Sequence, residues 1–229
     1  MEIKNNIKLG RKQLWLTPHE FEEGIDCIKQ NNIKDLFLWY GTDTSNEFHG
    51  KELTLDFSWL KKVPNIVSIE MMLKLTAKSN IESFYSLSEL EKLTYFNYDK
   101  LPLEHKKIKK LNSLYTHYSK EHLNNRSKFE SIENLKFLKL WHIKQEDCTF
   151  LGNLNKLEQL ELTWSRKLKS LLGCERFMEM KSLNLINLYT LVNIEQLHEC
   201  RKLSFVKIEG CKNINEEGQC LIEKINESE

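Results

Sequence analysis

Apolar residues along this chain follow two periods that take turns. Between residues 132 and 208 the pattern L-x-x-L-x-L recurs as Leu135, Leu138, Leu140; Leu157, Leu160, Leu162; Met180, Leu183, Leu185; and Leu203, Val206, Ile208, with starts spaced by 22, 23 and 23 residues. Weaker copies continue upstream at Leu111, Leu114, Thr116; Leu93, Phe96, Tyr98; Ile66, Ile69, Met71; and Ile33, Leu36, Leu38. The closing L-x-L alternates with period two, which suits a strand with one buried face. The residues leading into it are apolar at every third position, as in Leu191, Ile194, Leu197, Cys200 and Leu203, which suits a tight 3₁₀-like arm. Each of about eight units is therefore an arm followed by a strand. One unit cannot close a core, whereas stacked units bury a continuous core between a parallel sheet and a layer of arms.

The strings LKFLKLWHI, LEQLELTWS, MKSLNLINL and LSFVKIEGC carry this pattern, and with them the chain resembles the leucine-rich repeat family over most of residues 57–214, with an extra strand at 33–40. The resemblance implies an α/β solenoid, a right-handed superhelix with short parallel β-strands on the concave face and helical or irregular arms on the convex face. The family pattern usually continues with Asn or Cys two residues beyond the strand, where the side chain satisfies backbone groups of the turn. This chain has Ile143, Ser165, Leu188 and Cys211 there and so departs from a regular asparagine ladder.

The ends read as lids on a single domain over residues 1–229. Thr17-Pro18-His19-Glu20 has the form of a capping box with proline at the first helical position, followed by Phe21, Ile25 and Ile28 on one helical face. This predicts an N-terminal cap over 1–32 with a helix at about 18–30, repeats over 33–214, and a C-terminal cap helix over 215–229 that starts at Asn215 and covers the last repeat with Leu221, Ile222 and Ile225.

If the leucines of L-x-L point inward, the residues between and just after them point to the concave side. Residue by residue, this register places Tyr95, Tyr115, His117, Tyr118, Phe137, Trp141, His142 and Trp164 on that face, with Lys139 and Glu161 as charged neighbours. Trp39 joins the strip in the same register, although DLFLWY at 35–40 also reads as a buried edge unit. Folding alone does not require aromatic residues there, and exposed apolar patches rich in Trp and Tyr mark interaction surfaces. A one-residue slip in register would turn any of these side chains into core.

Leucine makes up about one residue in six, and Lys+Arg 34 against Asp+Glu 33 leave a net charge of +1. No overall positive field is present to hold a phosphate backbone, so nucleic acid is not an expected partner. The start lacks the apolar stretch of a signal peptide and no apolar run approaches the length of a membrane span, so a cytoplasmic protein without membrane contact is expected. The six cysteines contain no C-x-x-C pair and read as reduced, with several buried. No phosphate-binding glycine loop, HExxH or GxSxG occurs. His117 with His122, and Glu146, Asp147 and Cys148, lack a third partner at a recognisable spacing, and nothing proposes a cysteine nucleophile at His198. Neither metal nor cofactor is expected. The polar segment Gly41–Glu52 reads as a solvated insertion or a rim loop, and His105–Lys110 as a solvent-facing arm around Ile108.

These observations point to a non-enzymatic protein–protein recognition module that binds a protein partner through an aromatic face. One alternative is an inhibitor or immunity protein that neutralises a toxin or enzyme. Another is an enzyme or small-ligand binder with a cross-repeat site around His117, His142 and Trp164. Oligomeric state is left open by the sequence.

Overall fold

The computed structural model describes residues 1–6, 10–41, 50–96, 103–118 and 129–227. The chain divides into two compact units, Met1–Leu111 and Asn112–Glu229.

In the first unit, β1 (Glu2–Asn6) and β2 (Arg11–Leu16) form an antiparallel hairpin. A 3₁₀ turn at Pro18–Glu20 runs into α1 (Phe21–Asn31). Then come β3 (Asp35–Leu38), β4 (Glu52–Leu53), β5 (Ser68–Met71), β6 (Lys74–Leu75) and β7 (Lys92–Tyr95). The strands β2, β3, β5 and β7 pair in parallel with Leu14, Leu36, Ile69 and Leu93 on one rung and Leu16, Leu38, Met71 and Tyr95 on another. All eight side chains are buried, while β4 and β6 form a separate small ladder.

The N-terminal lid holds more than the expected helix. The hairpin precedes it, and β2 is itself a parallel rung of the repeat. The helix starts where its capping residues place it: the Glu20 carboxylate accepts from the backbone N–H and the hydroxyl of Thr17, each at 2.8 Å. Phe21, Ile25 and Ile28 are buried on one face. Gly24 permits the close approach to β2, because a Cβ there would lie 2.9 Å from the Leu16 side chain. Beneath the hairpin, the fully buried Asp35 is met by the Arg11 guanidinium, with Nη2 donating at 2.9 Å.

The frame of one repeat differs from the sequence reading. Its inward residues are Leu90, Leu93 and Tyr95 rather than Leu93, Phe96 and Tyr98; Tyr98 lies outside the described residues. Both frames satisfy an apolar L-x-x-L spacing. The observed one buries Leu90 and Leu93 and gives the Tyr95 hydroxyl a partner in His105 Nε2 at 2.9 Å. His105 is consequently fully buried, so the basic run at 105–110 is a solvent-facing arm only through its lysines, with Ile108 buried among them. Residues 42–49 of the polar segment lie outside the described residues.

In the second unit, β8 (Ser113–His117), β9 (Phe137–Trp141), β10 (Gln159–Ser165), β11 (Ser182–Leu188) and β12 (Phe205–Glu209) pair in parallel and in register. Leu114, Leu138, Leu160, Leu183 and Val206 make one inward rung, followed by Thr116, Leu140, Leu162, Leu185 and Ile208. The arms contain 3₁₀ turns at Phe129–Ser131, Thr149–Leu151, Cys174–Arg176 and Glu195–Glu199, as the period of three requires. The lid is α2 (Glu216–Asn226), whose N-cap Asn215 accepts from the Gly218 N–H at 2.9 Å and whose Leu221 and Ile222 are buried. At its last residue the Asn226 amide accepts from Val206 N–H at 2.7 Å and donates to Val206 O at 3.0 Å. The amide thus stands in for a neighbouring strand on the exposed edge of β12. Each unit is an α/β solenoid of leucine-rich repeat architecture.

Candidate functional site

The outward face of the second unit is organised by a backbone feature at the strand ends. His142, Trp164 and Asn187 adopt the left-handed region, with φ of 57°, 59° and 53°, and Gly210 follows at 69°. For a residue bearing a Cβ this costs about 1–2 kcal/mol. Gly210 adopts it without that cost, and a Cβ there would meet Asn187 Oδ1 at 2.2 Å, so the Asn187 side chain would have to move aside. In strict alternation, residue 164 would point inward after outward Thr163. The left-handed turn sends it outward instead and returns Ser165 to the core. The same shift buries Ile143, Leu188 and Cys211 and adds an outward column of residues 142, 164, 187 and 210.

Ser165 takes over the work of the absent asparagine. Its hydroxyl donates to Ile143 O at 2.8 Å and accepts from the N–H groups of Lys167 and Leu168 at 3.1 and 2.9 Å. Cys211 Sγ reaches Leu185 O at 3.4 Å in the corresponding turn.

On this frame a connected series of rings forms. Tyr115 meets Trp141 edge-on at 5.1 Å, His117 meets Trp141 at 5.5 Å and His142 at 4.9 Å, His142 meets Trp164 at 6.3 Å, and Trp164 meets Tyr189 at 6.5 Å. Trp164 is 48% exposed, and Phe137, Tyr189 and Phe205 are exposed as well. Tyr115 and Trp141 are half-buried, and His117 is buried on the outward side beneath its ring neighbours. Charged groups on this face pair with one another. Lys139 forms an ion pair with Glu161 and stands over the Tyr115 and Trp141 rings at 4.5 and 5.6 Å. Glu161 also accepts from Thr163 at 3.3 Å and Asn184 at 3.4 Å.

Two residues assigned to this face from sequence are core. Tyr95 occupies an inward rung of β7, as described above. Tyr118 is 4% exposed, packs edge-on against Phe150 at 5.4 Å, and its hydroxyl accepts from Gln145. Tyr118 is absent from the left-handed residues, so strict alternation carries it inward where His142 and Trp164 are turned out. Conversely, Trp15 and Tyr189 escaped the sequence reading. Trp15 stacks on Phe37 at 4.2 Å and meets Trp39 at 5.1 Å, a half-buried outward cluster of the first unit capped by Lys4 at 3.7 Å. Its signal was available in QLWL, an L-x-L read as lid rather than repeat. Tyr189 lies beyond its strand and had no periodic signal.

Among the described residues no three His, Cys, Asp or Glu side chains stand close enough to hold a metal ion, and no helix is long and apolar enough to cross a membrane. Burial, with the charges of Glu175 and Glu199, pushes the Cys200 thiol up to about 12. A hydrogen bond with Cys148 and full burial raise Cys174 further from thiolate character. His198 lines a pocket of about 210 Å³ between the last arm and α2, together with Asn193, Glu195 and Glu217.

No family model matches the chain, and no curated protein matches it in sequence. Among solved structures it is similar to internalin C2 from Listeria monocytogenes, with 13% identity, 69% of this chain and 77% of that one covered, and a TM-score of 0.44. It is also similar to the plant peptide hormone receptor RGFR1 in complex with RGF2, with 14% identity, 93% and 39% covered, and a TM-score of 0.44. A third is the functional domain of InlJ from Listeria monocytogenes, with 15% identity, 80% and 48% covered, and a TM-score of 0.39. The chain spans less than half the length of the latter two. The 22- to 23-residue sequence repeat and the in-register parallel ladders of its own strands give this chain a leucine-rich repeat fold.

Proposed function

We propose that the chain is a non-enzymatic recognition module whose second unit binds a protein partner through the outward face of β8–β12. The observation that carries this reading is the connected ring series from Tyr115 to Tyr189 on a face whose inward side already fills the core. Phe137, Lys139, Trp141, His142, Glu161 and Trp164 contribute contacts in this reading, and His117 supports the rings from below. Aromatic anchors of this kind dominate interface energetics, where truncation costs about 2 kcal/mol or more. A sheet that holds them in place lowers the ordering cost of binding. The six unpaired thiols favour a reducing, cytosolic setting.

The test is an affinity capture from native cytosol with wild type beside a Trp141→Ala/Trp164→Ala double variant, identified by mass spectrometry. Wild type is expected to retain a protein that the variant loses while the variant still unfolds cooperatively. Equal retention by both refutes the assignment of this face, and loss of cooperative unfolding shows that the two tryptophans serve the core. If the retained protein is a toxin or an enzyme, its activity with and without the chain separates an inhibitor or immunity protein from an adaptor.

A further inference from the structure

Charges on the sheet face pair with one another, as Lys139 with Glu161 and Lys207 with Glu209, whereas several on the rim where the strands end do not. Two positions beyond each left-handed residue the repeats place Lys144, Arg166, Tyr189 and Lys212. The register is fixed by the Ser165–Leu188 pairing, by Ser165 Oγ on Ile143 O and by the Asn213 amide on Tyr189 O at 2.8 Å. Lys167 adds a further cation beside Arg166. Arg166, Lys167 and Lys212 are exposed and have no acidic partner among the described residues. The neighbouring acids are already engaged: Glu146 with Lys169, Asp147 with the N–H and hydroxyl of Thr149, and Glu209 with Lys207. Exposed Trp164 and Tyr189 lie in the same two columns. The rim therefore combines uncompensated positive charge with apolar anchors.

We propose that this rim seats an acidic segment of a protein partner, with carboxylates opposite Arg166, Lys167 and Lys212 and an aromatic or aliphatic side chain against Trp164 and Tyr189. The proposal rests on the recognition reading above and specifies its partner. Rungs of a sheet are about 4.8 Å apart, so Arg166 and Lys212, two rungs apart, are separated by roughly 10 Å along the sheet. A segment in the polyproline-II conformation, with three residues per turn and about 3.1 Å rise per residue, keeps carboxylates three residues apart on one side and brings them to both. The planar guanidinium of Arg166 suits a carboxylate in a two-pronged contact. A net charge of +1 supplies no long-range field for a polynucleotide, which favours a short acidic peptide over a phosphodiester chain.

The full chain is used to select binders from a displayed library of random peptides, and the strongest is synthesised with a fluorophore and titrated by anisotropy. Titrations use wild type, Arg166→Glu/Lys167→Glu and Trp141→Ala/Trp164→Ala, at low and moderate salt, with a single-stranded oligonucleotide as a second probe. The expected result is a peptide rich in Asp and Glu with an apolar anchor, whose binding weakens about tenfold or more on charge reversal and falls with salt. The reversed residues are exposed, so an unchanged thermal unfolding curve accompanies that loss. Peptides without acidic excess that depend on the tryptophans but not on the two cations overturn this inference and leave the recognition reading standing. Binders indifferent to both variants, or a library that yields none, overturn both. Equal or tighter binding of the oligonucleotide assigns the rim to phosphate and overturns the acidic-peptide reading.

Discussion

Replacing Ser165 by alanine removes one oxygen from a buried turn and leaves three backbone groups without their partner: Ile143 O, Lys167 N–H and Leu168 N–H. The net worth of such a bond is about 1 kcal/mol, and leaving a buried group unsatisfied costs about 1–3 kcal/mol. Lys167 N–H is only partly buried, so water recovers part of its share, and a total loss of about 2–3 kcal/mol is expected. Urea unfolding followed by tryptophan fluorescence and far-ultraviolet circular dichroism reads this as a lower midpoint at unchanged slope. With a slope of about 2 kcal/mol/M the shift is about 1–1.5 M for the second unit. Arg166→Ala, one residue away but exposed, is expected to stay within about 0.5 kcal/mol of wild type. Ser165→Asn restores a donor and an acceptor and is expected to lose less than Ser165→Ala. A loss below about 0.5 kcal/mol for Ser165→Ala would refute the reasoning, because it would mean that the turn is satisfied without the hydroxyl.

Four further outcomes are expected. Arg11→Met leaves Asp35 buried without its cation and should cost about 3 kcal/mol by calorimetry, at the low end for a broken buried pair because Arg11 is itself partly exposed; adding Asp35→Leu should restore much of the loss. A native thiol-alkylation time course should modify Cys220 first and Cys27 more slowly, leaving Cys148, Cys174, Cys200 and Cys211 until the chain is unfolded. The Cys200 thiol, raised to about 12 from 9.0, favours the folded state fully below pH 9, and that contribution should fade as pH rises from about 9 towards 12 in alkaline unfolding experiments. Asn226→Ala uncovers the Val206 backbone on the edge of β12, which should destabilise the lid by about 1–2 kcal/mol and promote concentration-dependent association in sedimentation velocity. Unchanged sedimentation at high concentration would show that the edge is protected by other means.

The architecture was legible because its signals are local. The L-x-L alternation and the spacing of 22 and 23 residues repeat in register, and β9 to β12 formed on them. The helix starts at Thr17 and Asn215 were legible for the same reason, since a cap is made by side chains within three residues of the groups they satisfy. The candidate face was legible in Phe137, Lys139, Trp141 and Glu161, which lie within extended strands where position sets direction. The hairpin strand β1 carries little apolar patterning, and β2 shares its L-x-L with a segment that local reasoning assigned to a lid.

The sequence by itself thus determined the repeat, its strand register in β9 to β12 and the starts of α1 and α2. Tertiary structure alone decided which of two overlapping apolar frames buries Tyr95, because that choice depends on His105 ten residues away meeting its hydroxyl. It also decided that Tyr118 turns in while His142 and Trp164 turn out, and that Lys139 pairs its charge with Glu161 while Arg166 finds no acid among the described residues. The physical reason is parity. Alternation predicts side-chain direction only while the backbone stays extended, and one left-handed residue reverses it. The cost of that residue, about 1–2 kcal/mol, is met by packing and hydrogen bonds to the neighbouring repeat some 22 residues away, as in Ser165 on Ile143, which a local pattern does not record.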